Sequence, residues 1–151
     1  DNAVPSGTSL AVELLLRLAE LDANDEYRRR AAWVLDTLAE PAARFAPAFG
    51  HLLGVADIAL HGAVEVAIAG DPTRDDTQAL LAEVARHYVP GLVLAAGAPE
   101  QAAGITLLRG RDMIGGRATA YVCRGHACDA PVTDAASLGA QLERAAKHSA
   151  S

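Results

Sequence analysis

Apolar positions follow a helical spacing before Gly62 and switch to a mixture of spacings after it. Leu10, Leu14, Leu18 and Leu21 recur at the interval that stacks side chains on one helix face. Val12, Leu15 and Leu16 widen the stripe until most of that helix is apolar, so it is expected to be covered on several sides. Ser6 carries the hydroxyl of a good N-cap for it. Asn24-Asp25-Glu26 marks a turn and a second helix start. That helix places Tyr27, Ala31, Val34, Leu35 and Leu38 on one face and is expected to stop near Pro41 or Pro47, since proline lacks the N–H and crowds the preceding turn. Phe49, Leu52, Leu53, Ala56 and Leu60 predict a third helix over 47–60.

Past Gly62 the pattern alternates. Val64, Val66 and Ile68 against Ala63, Glu65 and Ala67 predict a strand. Gly70-Asp71-Pro72-Thr73 is a turn into a helix over 74–88, with Leu80, Leu81, Val84 and Ala85 inward. Leu92-Val93-Leu94-Ala95 reads as a second, short and continuously apolar strand. Strand, helix and strand in close succession make a βαβ unit with parallel strands. A third strand is expected over 117–123, and Thr133 or Asp134 caps a final helix carrying Leu138 and Leu142. The expected fold class is therefore mixed, a helical segment over 1–61 followed by a small α/β unit with a βαβ parallel core over 62–151.

Composition narrows the function classes. Half the chain is apolar but only 4% is aromatic, so Ala and Leu must do most of the packing. The net charge is −6, and Arg28-Arg29-Arg30 lies on a helical face where it reads as solvated, so nucleic acid is not an expected partner. No window approaches the roughly 18 apolar residues of a membrane span, and the first residues lack a basic and then apolar leader. A cytoplasmic location and no membrane partner are expected. The chain does not begin with Met, which suggests a segment of something longer.

Both cysteines lie in Ala120–Asp134. Cys123 and Cys128 are five positions apart with His126 between them, which leaves three readings open. They are buried structural thiols, a disulfide or redox couple, or ligands to a metal. Joining them requires Arg124–Ala127 to fold back, which Gly125 allows, since disulfide Cα atoms lie no more than about 7 Å apart. The metal reading uses Cys123, His126 and Cys128 and still needs a fourth ligand from Asp129 or His87. Gly110, Gly115 and Gly116 lack the spacing of a phosphate loop, and no cofactor is expected. His51 and His61 flank the third helix as surface or core histidines. Asp71, Asp75 and Asp76 follow a strand end but suit a helix N-terminus equally.

Several stretches together resemble one family. They are Asp1–Ser9, Phe49-Gly50-His51-Leu52-Leu53, Glu65–Gly70, Ala118–Arg124 and Cys128-Asp129-Ala130-Pro131-Val132-Thr133-Asp134. In that order they are similar to the C-terminal end of the thioredoxin-domain-containing proteins that include bacterial YyaL and the spermatogenesis-associated relatives. Thr8 departs from the family, which often has Asn there. The resemblance implies that 1–61 ends a six-hairpin α/α toroid of glycosidase-like architecture and that 62–151 is the terminal α/β domain. The implied partners are the rest of the parent, namely toroid and thioredoxin-like domain; self-association is a separate expectation. Three functions follow as expectations. The first is a structural and interaction segment, and the second a thiol–disulfide role for Cys123 and Cys128. The third is a carbohydrate-binding toroid pocket to which Asp1, Asn2, Ser6 and Ser9 contribute.

Overall fold

A computed structural model of the chain describes residues 1, 3–99, 104–125 and 127–148. Two compact units follow one another, Asp1–Gly62 and Ala63–Ser151.

The first unit is helical. Helix α1 (Gly7–Asp22) is capped by Ser6, whose Oγ accepts from the Ser9 N–H, and it ends on Ala23 in the left-handed region at φ 52°. Helix α2 (Asp25–Arg44) starts on Asn24, whose side chain accepts from the Glu26 N–H. It does not stop at Pro41. That residue sits inside the helix, close enough to the end that the missing N–H deletes one bond without unwinding the last turn. Pro47 instead lies in a short 3-10 turn, Ala46–Phe49, which leads into helix α3 (Gly50–His61). Val12, Leu16, Ala31, Leu52 and Val55 form the core, with Leu35, Leu38 and Phe49 packed on it. The arginine triplet faces outward as expected, with Arg28 on Glu20 and Asp25, and with Arg29 and Arg30 on Glu26. Leu10 and Leu14 are about half exposed, at 49% and 57%, so the apolar stripe of α1 is covered less completely than its sequence predicts.

The second unit is a four-stranded mixed sheet in the order β2-β1-β3-β4. Strands β1 (Val64–Ala69) and β2 (Leu92–Gly97) pair in parallel, Val64 opposite Leu92, joined through helix α4 (Asp75–Arg86). Strand β3 (Thr119–Arg124) runs antiparallel along the other edge of β1, Val64 opposite Arg124. A two-residue strand β4 (Ala127–Cys128), too short to show any period, completes the sheet. Helix α5 (Ala135–His148) is the last element among the described residues, and its first turn is capped by Asp134, which accepts from the Ser137 N–H at 2.8 Å.

Val64, Val66 and Ile68 of β1 point to one core with Leu80 and Val84 of α4 and with Leu138 and Leu142 of α5. Burying each of the larger side chains contributes about 1.5–3 kcal/mol. Every β1 residue except Glu65 is buried, which is why the strand is apolar on both faces. Among the described residues, no helix is long and apolar enough to cross a membrane.

Candidate functional site

The cysteine stretch folds into a hairpin. β3 ends at Arg124, Gly125 turns the chain at φ 53°, and β4 brings Cys128 directly opposite Cys123. The Cα atoms are 4.0 Å apart and the sulfurs are bonded at 2.10 Å. Asp129 N–H donates to the Val122 carbonyl at 2.9 Å and extends the ladder past the bond. The reading as two separate thiols does not hold here, because cross-strand pairing puts the side chains face to face.

The two sulfurs have different surroundings. Cys123 is 3% exposed, whereas Cys128 is exposed. Arg111 Nη2 donates to Cys123 Sγ at 3.1 Å. That guanidinium also donates to the Leu107 carbonyl, stands 5.9 Å above the Tyr121 ring and has Glu65 at 3.9 Å. Tyr121 is held in turn by its hydroxyl, which donates to the Asp112 carbonyl at 2.7 Å. A cavity of about 280 Å³ beside the hairpin is lined by Cys123, Cys128, Arg124, Arg144 and Gln141. Gln141 donates from Nε2 to the Ala130 carbonyl at 2.7 Å, while its buried Oε1 has no partner among the described residues. Sequence reasoning missed Arg111, since nothing in the linear pattern links it to a cysteine twelve residues on.

A metal would need both sulfurs as thiolates, a state that belongs to the reduced chain. His126 lies outside the described residues. His87 is engaged with its own helix, its Nδ1 bonded to the Glu83 carbonyl at 3.0 Å. Among the described residues, no three His, Cys, Asp or Glu side chains are grouped to hold a metal ion.

The Asp1–Ser9 loop is wired to itself and to α3. Asp1 Oδ1 accepts from the Ser6 N–H at 2.6 Å and from the Ser9 hydroxyl at 2.7 Å. Its Oδ2 accepts from the Leu52 N–H at 2.9 Å. Helix α3 has no side-chain cap of its own, so Asp1 supplies one from across the sequence. Ser6 and Ser9 hydroxyls are 2.8 Å apart, and Asn2 lies outside the described residues. Close by in sequence, Glu13 joins Arg17 at 2.7 Å and His51 at 2.9 Å. Burial pushes the Glu13 carboxyl up, but the bonds from Arg17 and His51 outweigh it and hold the group below its usual range. His61 pairs with Asp57 of its own helix.

The acidic group after β1 serves the start of α4. Asp71 accepts from the Thr73 N–H and hydroxyl. Asp76 accepts from Arg74 at 3.0 Å and from the Ala118 N–H at 2.9 Å. Those bonds, Arg74 first, hold its carboxyl at about 2.

With this geometry in place, comparison with known proteins gives one result. The chain is similar to a segment of spermatogenesis-associated protein 20. Identity is 30% over 142 residues for the proteins of Rattus norvegicus and Mus musculus, and 29% for that of Homo sapiens. The match takes in 91% of this chain but 18% of each relative, so the chain spans about a fifth of the curated relatives' length. No family model matches the chain, and no solved structure matches it.

Proposed function

We propose that this chain is a structural and interaction segment at the C-terminal end of a thioredoxin-domain-containing parent. In this reading 1–61 closes an α/α toroid, 62–151 is a terminal α/β domain, and the partner is the remainder of a cytoplasmic parent. The observation that carries it is the similarity to spermatogenesis-associated protein 20 over 91% of the chain and only 18% of the relative. The polar groups of the Asp1–Ser9 loop support it, since Asp1, Ser6 and Ser9 bond one another and a helix start. So does the apolar surface of the helical unit. Leu14, Trp33 and Leu60 are exposed, at 57%, 70% and 80%, and a cavity of about 440 Å³ is lined by Leu35, Leu38, Leu52, Leu53, Ala56 and Leu60 among others. An open cavity with an apolar lining is the kind of surface that marks an interaction site.

Size-exclusion chromatography with light scattering, together with binding of a hydrophobic dye, tests the proposal on the isolated chain. Self-association or strong dye binding is the expected result. A monodisperse monomer that binds no dye overturns it.

A further inference from the structure

We infer that the Cys123–Cys128 bond is a polarised thiol–disulfide exchange site, in which an external thiolate attacks Cys128 and Cys123 leaves as a thiolate held by Arg111. This goes beyond the structural reading and does not depend on it. Access decides which sulfur is attacked: Cys128 is exposed, and Cys123 is 3% exposed. Chemistry decides which sulfur leaves. Burial alone disfavours a thiolate, but a cationic donor beside the sulfur lowers the thiol pKa, and the lower the pKa of the leaving thiol, the faster it departs. Arg111 Nη2 sits 3.1 Å from Cys123 Sγ and is fixed there by the Leu107 carbonyl and by Glu65.

The reducing partner is a dithiol. Its first sulfur, as a thiolate, bonds to Cys128 Sγ while the protein S–S bond breaks, and that bond's electron pair stays on Cys123 Sγ. The dithiol's second thiol loses its proton, attacks the mixed disulfide and displaces Cys128, which takes up a proton. The dithiol is oxidised to a disulfide by two electrons, and the protein gains two reduced cysteines.

The full 151-residue chain, oxidised, is mixed with limiting glutathione as a monothiol probe. The reaction is quenched with N-ethylmaleimide and mapped by mass spectrometry. Glutathione is expected on Cys128 and maleimide on Cys123. Separately, reduction by dithiothreitol is timed for the native chain, Arg111→Gln and Arg111→Lys, with melting temperatures taken on the oxidised forms. Arg111→Gln is expected to slow reduction by about three- to tenfold. A leaving thiol that has lost its cationic donor departs more slowly. Arg111→Lys, which keeps the cation, recovers most of the rate. Glutathione on Cys123 or equally on both cysteines overturns the inference, and so does a rate unchanged within twofold in a folded Arg111→Gln. If that variant does not fold, the trapping pattern in the native chain decides. Failure of the two thiols to join under mild oxidant also overturns it.

Discussion

Two single positions show how backbone conformation and space set residue identity. Ala23 ends α1 at φ 52°, a left-handed conformation that costs a residue with a Cβ roughly 1–2 kcal/mol and glycine almost nothing. Ala23→Gly is therefore expected to raise stability by about 0.5–1 kcal/mol in urea unfolding, part of the gain being offset by glycine's greater freedom when unfolded. A loss of stability would mean that the unfolded-state cost dominates. Gly70 presents the opposite case. A Cβ there would lie 2.5 Å from Thr77 Oγ1 and 2.9 Å from the Ala118 Cβ, and both of those residues are fully buried. Neither neighbour has room to retreat. Gly70→Ala is expected to cost about 1–3 kcal/mol, and an unchanged unfolding midpoint would contradict the packing described.

At the scale of elements, helix ends are held by groups remote in sequence. Asp1 caps α3 through Leu52, 51 residues away, as well as the loop before α1. Asp1→Ala strips a carboxylate from three donors and is expected to cost about 1–2 kcal/mol. Hydrogen exchange should show faster loss of protection at the first turn of α3 than in α2, and uniform loss would argue against a local cap. Asp76 ties the start of α4 to Ala118 just before β3. Its carboxyl titrates near 3.8 when unperturbed and at about 2 in the folded chain. The ionised form thus contributes stability fully above the unfolded value, and that contribution fades as pH falls through about 2. Asp76→Asn should melt below the native chain at pH 7, with the gap narrowing by pH 2. A gap equal at both pH values would refute the assignment.

For the molecule as a whole, the question is what surface each unit leaves open. Leu10 and Leu14 of α1 remain about half exposed, although the sequence pattern of that helix calls for cover. The double variant Leu10→Glu/Leu14→Glu is expected to weaken self-association and dye binding several-fold while retaining helical circular dichroism, since charge on an apolar patch opposes its burial. Unaltered association would move the interaction surface elsewhere. Along the chain, the boundary between the helical unit and the mixed-sheet unit falls between Gly62 and Ala63, where the spacing of apolar residues changes. That change is visible in sequence because helix and strand periods differ by almost a factor of two.

Much of the local structure was legible in this way. Ser6, Asn24 and Asp134 act as the caps their side chains suggest, and Val64–Ala69 and Leu92–Gly97 form the parallel pair. These features depend on neighbours a few residues apart, so a linear pattern carries them. Other features were not legible. The continuation of α2 through Pro41 depends on how near a proline lies to the helix end, and the strand of Ala127 and Cys128 has no period to read. Tertiary structure alone decided that Cys123 faces Cys128, that Arg111 reaches the buried sulfur, and that the Asp1 carboxylate is spent on Leu52. Each is a meeting of side chains set by strand register or helix packing, and that placement is a distance in space which the spacing along the chain does not encode.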